Sequence, residues 1–221
     1  MRKEKLKELI IRVVILLVGL TIAHLGVTLF LLADIGSDPF NVLIQGLFRK
    51  SALLPSGIAN LLTHGRVHII ICFLIIAILL IVDRKYVKIG TILCMVCGGP
   101  IIDFFNWILG PLFAGDISLP VKVIVNVIGC AILAFGMTIV IKSEAGTGPN
   151  DLVAIVISDK LKFKFSIMRV IVDLVFAGTG FILGGTVGLG TIICAFVVGP
   201  VAGIFMPFNE KWIKNLVKKM V

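Results

Sequence analysis

His24, Asp103, Arg169 and Asp173 are ionisable residues placed well inside otherwise apolar runs of this sequence. Each is costly inside lipid unless it is paired or faces water, so residues of this kind mark ion and proton pathways. Asp103 has no charged partner in its own segment and is the first candidate for proton or cation coupling. A position near the outer interface, where it stays solvated, is the alternative. His24 reads as a proton relay or as a hydrogen-bonded helix contact. Arg169 and Asp173 are four residues apart on one helix face, the spacing of a structural ion pair. Asn106 and Asn126 could line the same cavity or hold helices together. His64 and His68 flank Arg66 without an acid or Cys at ligand spacing, so no metal site is expected. Cys94-Met-Val-Cys97 lacks a second Cys or His pair and reads as small buried hydrophobes.

A second set lies in two matching turns. Ala33-Asp34-Ile35-Gly36-Ser37-Asp38-Pro39-Phe40-Asn41 resembles Ser143-Glu144-Ala145-Gly146-Thr147-Gly148-Pro149-Asn150-Asp151 at an offset of 110. In each, an acid (Asp34 or Glu144) precedes a Gly turn at Gly36 or Gly146. Pro39 or Pro149 then suits the first helical position, with Asp38 or Gly148 as N-cap. The helical segments that follow, 40–50 and 150–160, present free N–H groups and a positive dipole end. One reading is a pair of termini at symmetric mouths of a solute pathway, with Asp34, Glu144, Asn41, Asn150 and Asp151 along it. The other is a tight turn into an interfacial helix, with the acids capping backbone N–H groups. Gly99-Pro100 and Gly199-Pro200 are expected to interrupt two spans near their middles, as hinges or as packing kinks.

The elements that must position these residues are transmembrane helices. Of 221 residues, 59% are hydrophobic and 15% charged, and mean hydropathy is +1.16. A soluble fold of this size exposes too much surface to hide that composition. Six apolar segments are predicted, over 9–33, 61–82, 89–113, 119–141, 166–184 and 187–208. A basic amphipathic tail, 209–221, follows them and is expected to lie on the cytoplasmic leaflet. With the N-terminus inside, 17 of the 21 Lys and Arg fall on the cytoplasmic side and 4 outside, which predicts cytoplasmic N- and C-termini. Trp107 and Trp212 fall near opposite interfaces. The net charge of +9 is therefore an orientation signal rather than a nucleic-acid footprint.

The offset of 110 also pairs Gly19 with Gly129 and Gly26 with Gly136. Gly90-Thr91-Ile92-Leu93-Cys94 returns as Gly190-Thr191-Ile192-Ile193-Cys194 at an offset of 100, as Gly99-Pro100 does in Gly199-Pro200. The first copy thus carries ten extra residues, assigned to 51–65. The expectation is one membrane domain, 1–221, of two repeats, about 9–113 and 119–208. Three spans per copy make the second copy inverted.

These G-x-x-P turns, with G-T-I-x-C and G-P in the third and sixth spans, resemble the YczE/YyaS/YitT family of bacterial integral membrane proteins. The resemblance covers nearly the whole chain and implies a multi-pass protein of the bacterial cytoplasmic (inner) membrane. The fold class expected is all-α integral membrane, six helices in two inverted three-helix repeats, each with a short interfacial or re-entrant helix. No G-x-x-x-x-G-K-[ST], G-x-S-x-G or H-E-x-x-H occurs, so neither ATP-driven nor hydrolytic chemistry is expected, and no cofactor. The function expected is a secondary transporter or exporter of a small polar or anionic solute, with proton coupling. The alternative is a non-transporting membrane module: an assembly factor, a sensor, or a substrate-binding subunit of a larger transporter. Expected partners are the lipid bilayer and a small-molecule solute, without nucleic acid. A homo-oligomer or a partner membrane protein stays open.

Overall fold

The computed structural model describes residues 2–36, 38–51, 55, 62 and 64–220, without the side chains of residues 2, 3, 64, 65 and 103. Most of the ten extra residues assigned to 51–65 lie outside that description. Among the described residues the chain is helical, with no strand. The helices are α1 (Arg2–Ala33), α2 (Pro39–Ser51), α3 (His64–Val82), α4 (Ile89–Leu109), α5 (Leu119–Lys142), α6 (Pro149–Leu161), α7 (Phe165–Ile182) and α8 (Leu189–Met220). Short 3₁₀ turns at Arg84–Tyr86 and Gly110–Phe113 flank α4. Five helices are long and apolar enough to cross a membrane, and Arg66–Val82 within α3 is a shorter apolar sixth. Bulky apolar side chains cover the outside, Ile81 at 87% and Ile182 at 81% exposure among them. That surface suits lipid, not water.

The tightest seam joins α1 to α5. A methyl group built on Gly26 would fall 2.5 Å from the Gly129 carbonyl oxygen, and one on Gly136 would fall 2.6 Å from that of Gly19. The two backbones therefore touch, which only small residues permit. Beside the seam, Phe30, Cys130, Ala134, Met137, Cys194, Val198 and Ala202 form a core shared by α1, α5 and α8.

Both turns fold alike. Asp34 (φ 49°) and Glu144 (φ 60°) are left-handed, as are Gly36 (φ 126°) and Gly146 (φ 146°). The Ile35 carbonyl accepts the Gly190 N–H at 2.8 Å, and the Ala145 carbonyl accepts the Gly90 N–H at 2.9 Å. Each turn thereby satisfies an orphan donor at the start of α8 or α4. A side chain at Gly36 or Gly146 would strike that helix start, so glycine is required twice over, for its φ and for the approach.

Two expectations change. The Gly-Pro pairs do not interrupt their spans, because α4 runs through Pro100 and α8 through Pro200 and Pro207. A proline removes one backbone hydrogen bond, and the turns on either side keep the helix going. Gly99, Pro100 and Pro200 are exposed on the outer surface rather than facing a shared interior. Gly199 instead lies against the Ser166 backbone of α7. Nor does the basic tail form a helix of its own. It continues α8, with Ile213 and Val217 packed on Ile11, Ile15 and Ile139. The buried Asn209 locks this extension, its amide donating to Thr138 Oγ1 at 2.6 Å while its oxygen accepts the Trp212 indole N–H at 2.8 Å.

Gly26→Val should lower stability by about 1–3 kcal/mol or more, the range for overpacking against atoms that cannot move. Gly99→Ala, which meets nothing within 4 Å, should be neutral or slightly stabilising. Thermal unfolding of the two purified variants in detergent checks the contrast. Equal melting temperatures would remove the seam from its central place.

Candidate functional site

Arg169 organises the buried charge. One helical turn separates it from Asp173 on α7, and its Nε donates to Asp173 Oδ2 at 2.9 Å. Its terminal nitrogen Nη1 pairs with Asp151 Oδ1 in the first turn of α6, which also accepts from the Asn150 amide at 3.1 Å. Arg169 is 4% exposed and Asp173 0%. Asp151 gains a second favourable contact from the positive end of α6. The expected Arg169–Asp173 pair is thus half of a bridge between two helices. Asp173 Oδ1 is buried with no hydrogen-bond partner.

The start of α2 joins the same region. Asp38 caps that helix, with Oδ1 accepting the Phe40 N–H at 3.1 Å and the Asn41 N–H at 3.2 Å, and Oδ2 accepting the Asn41 amide. It is buried and within electrostatic range of Arg169 and Asp173. The starts of both short helices are therefore buried in one electrostatic neighbourhood, Asp151 bonded to Arg169 and Asp38 at longer range. The left-handed turns cause this, because they press the chain against the starts of α8 and α4 and carry both prolines inward.

His24 reaches the cluster from α1. Its Nδ1 lies 2.8 Å from the Leu20 carbonyl, which can only accept, so Nδ1 carries a proton. It is within electrostatic range of Asp38 and Asp151. Its Nε2 packs on Gly98, where a methyl group would fall 2.7 Å away. Gly98 faces inward, while the neighbouring Gly99 and Pro100 are exposed.

Other sequence candidates lie elsewhere. Asp34 and Glu144 are exposed on the outside of their turns. Glu144 pairs with Arg12 at 2.8 Å, and its carbonyl accepts the Lys88 ammonium at 2.7 Å. Their left-handed backbone explains this, since it turns the side chain away from the packed helix start. Asp103 belongs to α4, with its side chain outside the described residues. Asn126 is buried, its Nδ2 without a hydrogen-bond partner, close against Gly190 at the start of α8. Asp38, given only a capping role by sequence, is the site residue that was missed. An arginine inside a span with a single acid on its own helix was the available hint.

A cavity of about 250 Å³ opens on one end of the molecule between Lys85, Tyr86, Lys88, Glu144, Gly146 and Thr147. The Thr147 hydroxyl at its wall is buried and without a hydrogen-bond partner. Thr147 lies two residues before Pro149, the first residue of α6, so the cavity leads from exposed lysines toward that terminus.

A family described as "Family of unknown function (DUF6198)" matches residues 10–207. The chain is 29% identical over 204 residues to "Uncharacterized membrane protein YczE" of Bacillus subtilis, covering 91% of this chain and 88% of that protein. It is 25% identical over 195 residues to "Uncharacterized protein YyaS" of the same organism, covering 88% and 92%. An "Uncharacterized protein" of Haemophilus influenzae is 27% identical over 194 residues, covering 87% and 82%. No solved structure matches. The resemblance read from the G-x-x-P turns is therefore correct as to YczE and YyaS, and the location is a multi-pass membrane one.

Replacing Arg169 by Gln leaves Asp151 and Asp173 buried without a counter-charge, a change worth about 3–5 kcal/mol. Arg169→Gln should unfold at a clearly lower temperature in detergent. The double variant Arg169→Gln/Asp173→Asn should recover part of the loss. A single variant as stable as the parent would contradict the bridge.

Proposed function

The chain belongs to the DUF6198 family, and from that premise and the buried cluster we propose that it is a secondary transporter of a small polar solute. The observation that carries this reading is the buried charge around Arg169: Asp151 of α6 and Asp173 of α7 are bonded to it, and Asp38, the cap of α2, lies within electrostatic range. Short helices that end inside a membrane protein, with their termini aimed at buried charge, are how secondary transporters build midplane sites. Ion pairs that only stabilise do not require two such termini.

The architecture in this proposal is a pair of inverted three-span repeats. Reciprocal contacts support it. Gly26 meets Gly129 while Gly136 meets Gly19, and each left-handed turn caps a helix start of the other half. An antiparallel pair related by a two-fold axis makes such crossed contacts. The α1–α5 seam is then the axis about which the halves rock, and α2 and α6 carry the site's carboxylates from opposite halves. The lysine and arginine bias supports both termini on the cytoplasmic side of a bacterial inner membrane. The cavity at Thr147 serves as the cytoplasmic approach.

Proteoliposomes under an imposed pH gradient test the reading with labelled small amines, amino acids and organic acids. Saturable uptake should fall about tenfold or more in Asp38→Asn and Asp151→Asn, as expected for intramembrane carboxylates on the pathway. Asp34→Asn should stay within about twofold of the parent, since an exposed turn acid outside the cavity contributes little. Uptake that is insensitive to the cluster variants would end the assignment.

A further inference from the structure

The charge inside the cluster does not balance. Asp151 and Asp173 are bonded to a single guanidinium, Arg169, and Asp38, the cap of α2, lies within electrostatic range of it. Among the described residues, groups shown to interact with the cluster are His24 from α1, Cys94 from α4, and Cys194 from α8 with its neighbour Cys130 from α5. Thiols add no positive charge, and a charged His24 would supply one at most. A carboxylate in a low-dielectric interior costs several kcal/mol unless it is compensated. The second observation is Asp173 Oδ1, an oxygen on a fully buried side chain with no donor to meet it. This is a place where positive charge is missing, which argues against the anionic solute expected from the helix termini alone. The termini are already answered by carboxylates, Asp38 on α2 and Asp151 on α6.

We propose that the cluster binds protons and a small organic ammonium ion in alternation, so that the protein exchanges one for the other. This rests on the transport reading of the same site. An N–H-bearing cation fits better than a bare ion for a geometric reason. The Asp38 oxygens are turned to the α2 backbone and Asn41, and one oxygen each of Asp151 and Asp173 is turned to Arg169. The acids thus surround the site without converging on a point, and an ammonium group can donate in several directions at once. Among the described residues, no three His, Cys, Asp or Glu side chains are grouped to hold a metal ion.

Exchange follows from the same balance. With no cation bound, the excess carboxylates are held as neutral acids. When the ammonium enters, the carboxylic O–H bond breaks and the proton leaves to water. The carboxylate then pairs with the ammonium, and no covalent bond forms. Reorientation with neither occupant would carry uncompensated charge through the bilayer interior. The proton gradient therefore drives the amine in the opposite direction.

The test uses the full-length protein in detergent, weakly buffered with a pH indicator. Adding methylammonium chloride should release about one to two protons per chain, the excess of acid over base. Sodium chloride at equal ionic strength should release none, and Asp173→Asn should cut the yield while remaining monodisperse. Release by both salts alike, release by neither, or proton uptake on adding sodium propionate would overturn the inference. Proton release without flux in proteoliposomes would end only the transport reading. Uptake of an organic acid without release by methylammonium would end only this one.

Discussion

Backbone contact between α1 and α5 is the constraint on which the rest of the molecule depends. Between helices in lipid there is no hydrophobic gain from association, so the seam relies on van der Waals contact at close range. Gly19, Gly26, Gly129 and Gly136 supply it by having no side chain to hold the backbones apart. Once that distance is set, the turns after α1 and α5 meet the starts of α8 and α4, where the Ile35 and Ala145 carbonyls find their donors. Those turns aim Pro39 and Pro149 inward, and α2 and α6 begin where Arg169 stands. A change of less than a methyl radius at the seam would be transmitted to the cluster through rigid helices.

The cluster is expensive to keep: replacing such a group as a whole by apolar residues of the same volume is often neutral or stabilising, whereas removing one partner alone is not. What such replacement would lose is an arrangement that responds to charge. Arg169 joins α6 to α7, and Asp38 and His24 add α2 and α1 through longer-range attraction. Four helices thus share one electrostatic balance. Their relative positions are coupled to its occupancy more tightly than dispersion contacts alone would make them.

Much of this architecture was legible from residues. Pro39 and Pro149 open α2 and α6 at the expected positions, and the apolar runs end close to the helix ends found, except that α1 begins already at Arg2 and α8 continues to Met220. The duplicated glycines pointed to paired turns, and Arg169 and Asp173 are indeed bonded. What could not be read was direction around each helix. Asp34 looked more prominent than Asp38 because it opens the motif, yet a left-handed backbone sends it outward while Asp38 is buried. Gly98, Gly99 and Pro100 are adjacent in sequence, but only Gly98 faces His24. Hydropathy reports depth along a span, whereas function depends also on azimuth, which packing decides.

The continuous α8 gives the molecule an uneven outline. At 32 residues it is about 48 Å long, some 18 Å more than the hydrocarbon slab. The equally long α1 lies beside it, with Ile11 and Ile15 against Ile213 and Val217. Together they project from one end as a lysine-rich stalk, clamped at its base by Asn209 and Thr138. Such a stalk acts as a lever arm: a few degrees of helix tilt within the membrane become ångströms of sweep at the tip.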